Sequence, residues 1–221
     1  MQREIAVTAD GSHTISIPEM GVTYHSTHGA IQESTHVFIE AGLIPLIGEE
    51  NTKPVKIFEI GFGTGLNALL SWQTAKKYNK PVSFTSIEPY PIRPEIAVKL
   101  NYGKLLSMEE AFTGLHTCSW NQENQMDELF SLTKMKTSLI DLSIQGSFNC
   151  IYFDAFSPSA QPELWSQPVF EKLFTLLQPG GLLLTYCSKS IVRHAMTAAG
   201  FTVKKIPGPW GKREMVRAYK N

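Results

Sequence analysis

The chain has 221 residues, enough for one large domain with a well-packed core. Its 20 basic and 20 acidic side chains give a formal net charge of zero, so any nucleic-acid partner would have to contact a local basic patch. Three widely spaced cysteines argue against a disulfide framework or a zinc site, and no run approaches the ~20 apolar residues of a membrane span. We expect a cytoplasmic protein without a resident metal, a membrane segment or a stable protein partner.

The first fifty residues predict an extension that packs on the rest of the chain. Alternating apolar residues around an Asp10-Gly11 turn predict a β-hairpin over 4–24. Apolar residues at helical spacing predict a helix over 29–43 that stops near Pro45. We therefore expect residues 1–50 to form an N-terminal extension and residues 51–221 to form the core of a single compact domain.

From residue 55 onward, apolar strand-like runs alternate with helical patterns. Strands are expected at 55–60, 82–87, 130–136, 150–153, 182–186, 201–206 and 214–218. Helices are expected near 65–78, 94–100, 108–115, 168–177 and 191–199. This alternation predicts an α/β fold with a mostly parallel seven-stranded sheet wound on both faces, and the last two strands would form a hairpin-like pair with an antiparallel edge strand.

The turn after the first core strand is rich in glycine. Glycines at 61, 63 and 65 let the backbone pass close to a ligand. Pyrophosphate-binding proteins need a last glycine where this chain has Leu66, which argues against an NAD-dependent oxidoreductase. An acid at Glu59 instead suits a cationic ligand such as S-adenosylmethionine. The pattern predicts a Rossmann-like class I methyltransferase, and a non-catalytic binding module with the same fold remains an alternative.

Three further acids follow strands or precede them. Because ligands of open α/β sheets bind at the carboxyl ends of the strands, these acids are candidates for one site. Glu88 ends the second strand, 23 positions after Gly65, where an acid suits a ribose diol. Asp141 precedes the fourth strand and is expected to bind the adenine amino group, unless it forms only a cap or surface turn. Asp154 ends that strand and is expected to face the reacting atoms, with an Asx-turn as the alternative.

Four segments occur in the order in which one enzyme family has them: 24–38, 61–67, 154–158 with 162–165, and 212–215. Together they resemble the methyltransferase half of the tRNA-modifying enzyme MnmC and its stand-alone MnmD-type relatives, over about residues 4–219. The resemblance implies methyl transfer from S-adenosylmethionine to the amine of 5-aminomethyl-2-thiouridine at the tRNA wobble position, giving 5-methylaminomethyl-2-thiouridine. A small-molecule or protein amine is the alternative acceptor.

The resemblance and the strand-end acids together predict the site residues. The expected cofactor-binding residues are Glu33, Ser34, Glu59, Gly61, Gly63, Gly65, Asn67, Glu88 and Asp141. The expected catalytic residue is Asp154, which would hold the amine and accept its proton, and the expected substrate-binding residues are Tyr24, Phe156, Pro158, Lys212 and Arg213. We expect no FAD, because the family's FAD-carrying oxidase domain has no counterpart in this chain. Trp210 stands in a Pro-Gly-Pro-Trp-Gly sequence where the family commonly reads Pro-Gly-Pro-Pro-Gly.

The expected partner is the anticodon region of tRNA. A flipped wobble base needs an apolar or aromatic clamp, for which Tyr24, Phe156 and Trp165 are candidates, with core packing as the alternative for Trp165. Phosphates need cations, and the C-terminal segment has six: Lys204, Lys205, Lys212, Arg213, Arg217 and Lys220. These six are expected to supply the local patch that the neutral chain otherwise lacks, unless they only solvate an edge strand.

Overall fold

The N-terminal extension begins with a small antiparallel sheet. The computed structural model describes residues 2–48 and 53–221, so the predicted boundary between 50 and 51 lies outside the described residues. The sheet contains β1 (Glu4–Val7), β2 (His13–Ile17) and β3 (Val22–Thr23), in that order. The hairpin is therefore confirmed, and Gly11 has φ of +82° in its turn, a backbone conformation that favours glycine.

One continuous helical stretch follows the hairpin. It consists of α1 (Ala30–Ser34), a π-helical segment (Thr35–Leu43) and α2 (Ile44–Ile47). The stretch passes through Pro45, where the sequence predicted its end. Proline has no N–H to donate within a helix. The Ile44 N–H bonds to the Ile39 carbonyl five residues earlier, and Pro45 follows directly in the first turn of α2. The Arg217 guanidinium donates to the Ala41 carbonyl from outside the helix.

The core is a large sheet flanked by helices. Its strands are β4 (Val55–Ile60), β5 (Val82–Ile87), β6 (Glu123–Asp127), β7 (Phe130–Met135), β8 (Phe148–Phe153), β9 (Leu177–Thr185), β10 (Thr202–Pro207) and β11 (Glu214–Tyr219). Its helices are α3 (Leu66–Tyr78), α4 (Pro94–Ala97), α5 (Tyr102–Leu106), α6 (Glu109–Thr117), α7 (Gln167–Leu176) and α8 (Ser190–Ala198). The strand order is β10-β11-β9-β8-β4-β5-β7-β6, and the five strands from β9 to β7 are parallel.

The mostly parallel sheet is confirmed, with eight strands where seven were expected. The additional strand is β6, whose Glu-Asn-Gln-Met-Asp sequence lacks an apolar alternation because it pairs with β7 as a largely exposed antiparallel edge. At the other edge, β11 pairs antiparallel with both β9 and β10. The antiparallel strand of the last hairpin therefore lies one position inside that edge, and β10 is the edge strand.

Apolar side chains cover both faces of the sheet. Consecutive strand residues point to opposite faces. Tyr152 accordingly packs against Phe38 of the π-helical segment, while Phe153 packs against Phe170 of α7 on the other face. All four side chains are buried. This packing aligns β4, β5 and β8, so that their carboxyl ends meet at one edge of the sheet.

Candidate active site

A cavity of about 780 Å³ lies at the carboxyl ends of β4, β5 and β8. Its volume lies within the range of small-molecule sites. The predicted site residues that line it are Tyr24, Gly61, Gly63, Asn67, Glu88, Asp141, Asp154 and Phe156. The N-terminal extension contributes part of the wall through residues such as Arg3, whose guanidinium donates to the carbonyls of Tyr90 (2.8 Å) and Pro91 (3.2 Å) across the chain.

The glycine-rich turn forms the floor of this cavity. Gly61, Gly63 and Gly65 have φ of +93°, +49° and +74°, all in the region that favours glycine. A Cβ on Gly63 would lie 3.1 Å from the Tyr24 ring, and one on Gly61 would lie 3.2 Å from the Asp154 carbonyl oxygen. Gly65 begins α3 and does not line the cavity. The first two glycines thus keep open the space between the turn and the opposite wall.

The Glu88 carboxylate orients the turn from the end of β5. Its Oε2 accepts a hydrogen bond from the Gly63 N–H (3.0 Å), and its Oε1 accepts one from the Tyr90 N–H (2.9 Å). An ionised carboxylate can accept about four hydrogen bonds, so two acceptor positions remain for a ligand in the cavity. This arrangement fits a ribose diol.

Asp141 both forms a local turn and lines the cavity, so the two roles expected for it do not exclude each other. Its Oδ2 accepts from the Ser138 hydroxyl (2.6 Å), and its N–H donates to that hydroxyl (3.1 Å), as in a local turn. Its side chain nevertheless lines the cavity. The carboxylate therefore has acceptor capacity left for an amino group such as that of adenine.

A hydrogen-bonded chain of polar side chains leads from below the turn to Asp154. The Asn67 Nδ2 donates to Glu59 Oε1 (3.0 Å) and to Asp154 Oδ2 (2.8 Å), and the Ser86 hydroxyl donates to Glu59 Oε2 (2.6 Å). Glu59 is 1% exposed and does not line the cavity. Burial raises its pKa well above the ordinary value. Glu59 therefore orients Asn67, and Asn67 in turn orients Asp154.

Asp154 has the most informative electrostatic environment of these acids. Burial and the nearby Glu33 carboxylate raise the pKa of Asp154 to about 8, against the opposing effects of Asn67 and the Lys212 ammonium. A carboxylate with such a pKa can accept a proton near neutral pH, as a general base does.

Glu33 pairs with Lys212, although the sequence analysis assigned the two to different ligands. Glu33 Oε2 accepts from the Ser26 N–H (2.7 Å), and its Oε1 forms a salt bridge with Lys212. The Lys212 ammonium also lies 4.1 Å from the Tyr186 ring centroid, a cation–π contact. Neither Glu33 nor the buried Ser34 lines the large cavity. Glu33 thus acts on the site through its charge, and Lys212 has a partner within the protein.

A smaller cavity of about 320 Å³ lies beside the first. Its lining includes Pro158, Tyr186, Lys189 and Arg213. Residues 154–156 line the large cavity and residues 157 and 158 line the small one, so the 154–158 loop joins the two. Near the large cavity, Tyr24 and Phe156 meet edge to face with centroids 5.2 Å apart. These are two of the three aromatic residues predicted as a base clamp, whereas Trp165 is buried against Phe153 in the core and does not line the cavity.

The predicted C-terminal cations do not all face this region. Arg217 donates to Ala41, and Lys220 donates to the carbonyls of Phe174 and Leu177, so both have structural roles. Two cations that the sequence analysis missed are Lys189 and Arg193, at and near the start of α8. Lys189 could have been found by the same reasoning as the acids, because it follows the carboxyl end of β9.

The described residues contain neither a metal-binding cluster nor a membrane-spanning helix. Across residues 2–48 and 53–221, no group of three or more His, Cys, Asp or Glu side chains is arranged to hold a metal ion. Within the same ranges, no helix combines the length and the apolar character needed to cross a bilayer.

Comparison with known proteins connects this site to a chemistry. A family model described as S-adenosyl-L-methionine-dependent methyltransferase matches residues 107–221. A tRNA 5-methylaminomethyl-2-thiouridine biosynthesis bifunctional protein MnmC from Cupriavidus metallidurans is 33% identical over 216 residues, which are 91% of this chain and 32% of that protein. The protein of the same name from Leptospira interrogans is 31% identical over 206 residues, 87% of this chain and 32% of its own length. The chain thus spans about a third of the length of these relatives.

Solved structures give a similar result. The crystal structure of MNMC2 from Aquifex aeolicus superimposes with a TM-score of 0.78 at 26% identity, and the match covers 98% of this chain and 70% of that one. A spermidine synthase from Thermotoga maritima superimposes with a TM-score of 0.59 at 13% identity, over 99% of this chain and 69% of that one, which shows a shared fold.

Proposed function

The chain belongs to a family of S-adenosyl-L-methionine-dependent methyltransferases, and from this premise we propose that it methylates the amine of 5-aminomethyl-2-thiouridine at the tRNA wobble position. The product would be 5-methylaminomethyl-2-thiouridine, the nucleoside in the names of the bacterial relatives. The observation that carries the proposal is the position of Asp154. Its carboxylate lies where the 154–158 loop joins the two cavities, with a pKa raised to about 8. A tRNA substrate also favours a cytoplasmic location.

The large cavity fits S-adenosylmethionine. Gly61 and Gly63 leave room along the floor, and Glu88 and Asp141 retain acceptor positions for hydroxyl and amino groups. The Asn67 Oδ1 is buried without a hydrogen-bond partner among the described residues. When bound, the cofactor supplies an electrophilic methyl group on a sulfonium.

Asp154 would prepare the acceptor amine. An alkylamine has a pKa of about 10.4 and is mostly protonated near neutral pH, so it needs a group that removes a proton and orients the lone pair. Asp154 would accept that proton, while Asn67 holds its carboxylate through the 2.8 Å hydrogen bond. Such general-base assistance is worth about 10²–10⁴-fold in rate. Correct positioning contributes more, up to about 7–11 kcal/mol in ideal intramolecular systems.

The aromatic pair would hold the flipped base. Tyr24 and Phe156 approach edge to face at the large cavity, and bases stack well on such rings. Burial raises the pKa of Tyr24 to about 12, so its phenol stays neutral near the base. The position of the two rings at the cavity supports a role in substrate binding for both residues.

The cations around the small cavity would contact phosphates. Lys189 and Arg213 are exposed, and within the described part of the chain neither forms a salt bridge, whereas Lys212 pairs with Glu33. Arg213→Gln should therefore weaken tRNA binding and reduce the slope of log K against log salt by about one. Lys77→Gln, on the exposed side of α3, is the matched control. If the two variants give the same salt slope, Arg213 does not contact the tRNA.

A transfer assay tests the proposed function. The protein is incubated with methyl-labelled S-adenosylmethionine and, in parallel, with tRNA that carries 5-aminomethyl-2-thiouridine, with small polyamines or with total cell protein. We expect label in tRNA only. Asp154→Asn should abolish most of this transfer while calorimetry shows nearly unchanged cofactor affinity. Label in amines or proteins but not in tRNA would refute the assignment. Loss of cofactor binding in the variant would show that Asp154 binds the cofactor.

A further inference from the structure

Trp210 is exposed on a loop whose backbone is held on several sides. Its side chain is 64% exposed, and it is the one tryptophan among the strongly exposed large apolar residues that the structure describes. The loop between β10 and β11 is closed by hydrogen bonds from the Gly208 N–H to the Arg213 carbonyl (3.2 Å) and from the Lys212 N–H to the Pro209 carbonyl (2.9 Å). The ring is therefore presented to solvent from a braced backbone.

The loop also lies tightly against the N-terminal extension. A Cβ on Gly211, which has φ of +85°, would come within 2.3 Å of the His28 ring. The Trp210 and His28 rings have centroids 5.8 Å apart at an interplanar angle of 43°. At the base of the loop, His36 Nε2 donates to the Pro207 carbonyl at 3.0 Å. These contacts place an exposed aromatic pair at the seam between the extension and the core.

The surroundings of this pair are positively charged. Arg213 and Lys189 line the small cavity, and Arg193 lies close enough to Glu214 to stabilise its ionised form. Of the acids near this loop, Glu214 pairs with Lys205 (2.9 Å), Glu33 pairs with Lys212, and the exposed Glu40 lies 3.4 Å from His36. A neutral protein thus has a local cationic surface beside an exposed aromatic ring. Single-stranded nucleic acid has the complementary chemistry, because its phosphates are anionic and its bases stack on aromatic side chains.

We propose that Trp210 stacks on a nucleobase next to the target base in the bound anticodon loop, an inference that rests on the proposed function. Lys212, two residues after Trp210, forms a salt bridge with Glu33, and the charge of Glu33 raises the pKa of Asp154. The braced loop therefore connects the exposed ring to the inner site over a short stretch of chain. Trp210 would recognise the unpaired state of the neighbouring nucleotide, and base identity would matter little, since every base has a stacking face.

The expected size of the effect follows from measured stacking. Removing one aromatic platform for a base weakens binding by about 5-fold to 100-fold. Trp210→Ala should raise the tRNA KM and Kd by such a factor and leave the affinity for S-adenosylmethionine unchanged. Trp210→Phe should recover most of the loss, because it keeps an aromatic face. Tyr78→Ala, an exposed aromatic at the end of α3 away from the carboxyl ends of the strands, is the matched control and should bind tRNA as the wild type does.

An anticodon stem-loop RNA with abasic nucleotides provides the decisive test. Abasic positions are placed in turn on either side of the target nucleotide, and each RNA is measured with wild type, Trp210→Ala and Tyr78→Ala. At one abasic position, the wild type should lose about as much affinity as Trp210→Ala loses for the intact RNA. Trp210→Ala itself should bind that abasic RNA no more weakly than it binds the intact RNA. RNA binding should also quench a tryptophan emission component that Trp210→Phe lacks.

The outcomes separate two failures. If Trp210→Ala binds every RNA within twofold of wild type, or if the abasic losses are the same in both proteins, the stacking inference is wrong while the proposed function stands. If the wild type transfers no methyl group to intact tRNA that carries 5-aminomethyl-2-thiouridine, the proposed function is wrong and the inference falls with it. If Trp210 emission responds to a protein partner and not to RNA, the surface belongs to that partner.

Discussion

The Glu33 carboxylate should control the pH at which Asp154 becomes an effective base. Glu33 raises the pKa of Asp154, and the Asn67 hydrogen bond and the Lys212 ammonium lower it. Glu33→Gln removes a negative charge and frees the positive charge of Lys212, and both changes favour the ionised form of Asp154. Asn67→Leu removes a hydrogen bond to that form. The two substitutions should therefore shift the acidic limb of the pH–rate profile in opposite directions.

The magnitude follows from the position of the wild-type limb. With a pKa of about 8, Asp154 is ionised in about a tenth of the molecules at pH 7. At an effective dielectric constant of about 20, a neighbouring carboxylate contributes on the order of 1–4 kcal/mol. A decrease of one pKa unit, about 1.4 kcal/mol, would ionise about half of the molecules at pH 7. Glu33→Gln should then raise kcat/KM at pH 7 by about fivefold and leave it nearly unchanged above pH 9.

The assay is kcat/KM between pH 5.5 and 9.5 for tRNA that carries 5-aminomethyl-2-thiouridine, and it reports ionisations of the free enzyme and free substrate. The amine of the substrate titrates in the same way with every variant, so differences between variants report Asp154. Glu40→Gln is the matched control, because Glu40 is exposed on the π-helical segment and contacts His36. The reasoning is refuted if Glu33→Gln and Glu40→Gln give the same limb, or if Glu33→Gln shifts it in the direction of Asn67→Leu.

Two further predictions concern the backbone and stability. Gly63→Ala should lower the affinity for S-adenosylmethionine by about tenfold, because its Cβ meets the Tyr24 ring. Gly180→Ala, the control, also has a positive φ, but its Cβ meets nothing within 4 Å, so this variant should lose only stability. Calorimetry measures the cofactor affinity and thermal melts measure the stability, and equal cofactor affinities for the two variants would contradict the role of the turn. The folded protein holds a proton on Asp154 that the unfolded chain releases above about pH 4, so this contribution to stability is lost as pH rises through about 8. Asp154→Asn should therefore gain Tm relative to wild type between pH 5 and pH 9, and a constant difference would argue against the raised pKa.

The sequence carried much of the fold because its buried strands are strongly patterned. β4 and β8 are mostly apolar, β5 alternates apolar residues with Ser and Thr, and each strand is followed by an acid or a glycine turn. β6 was missed because it is a polar edge strand, and the helical stretch continues past Pro45 because the proline lies in the first turn of α2, directly after the π-helical segment. Neither of these two features has a local signal.

The site was partly predictable for the same reason. The carboxyl ends of parallel strands meet in space, so Glu88 and Asp154 could be placed together from their positions alone. The pairing of Glu33 with Lys212 joins residues 179 positions apart, and only the folded chain shows it. Likewise, nothing in the sequence distinguishes the buried Glu59, which holds Asn67, from the cavity-lining Glu88.

The most direct test of the central claim is the identity of the methylated nucleoside. tRNA that carries 5-aminomethyl-2-thiouridine is treated with the enzyme and S-adenosylmethionine, digested to nucleosides and analysed by mass spectrometry, with Asp154→Asn in parallel. We expect 5-aminomethyl-2-thiouridine to disappear and 5-methylaminomethyl-2-thiouridine to appear in its place, with little conversion by the variant. A methyl group on any other nucleoside, or full conversion by Asp154→Asn, would contradict the claim.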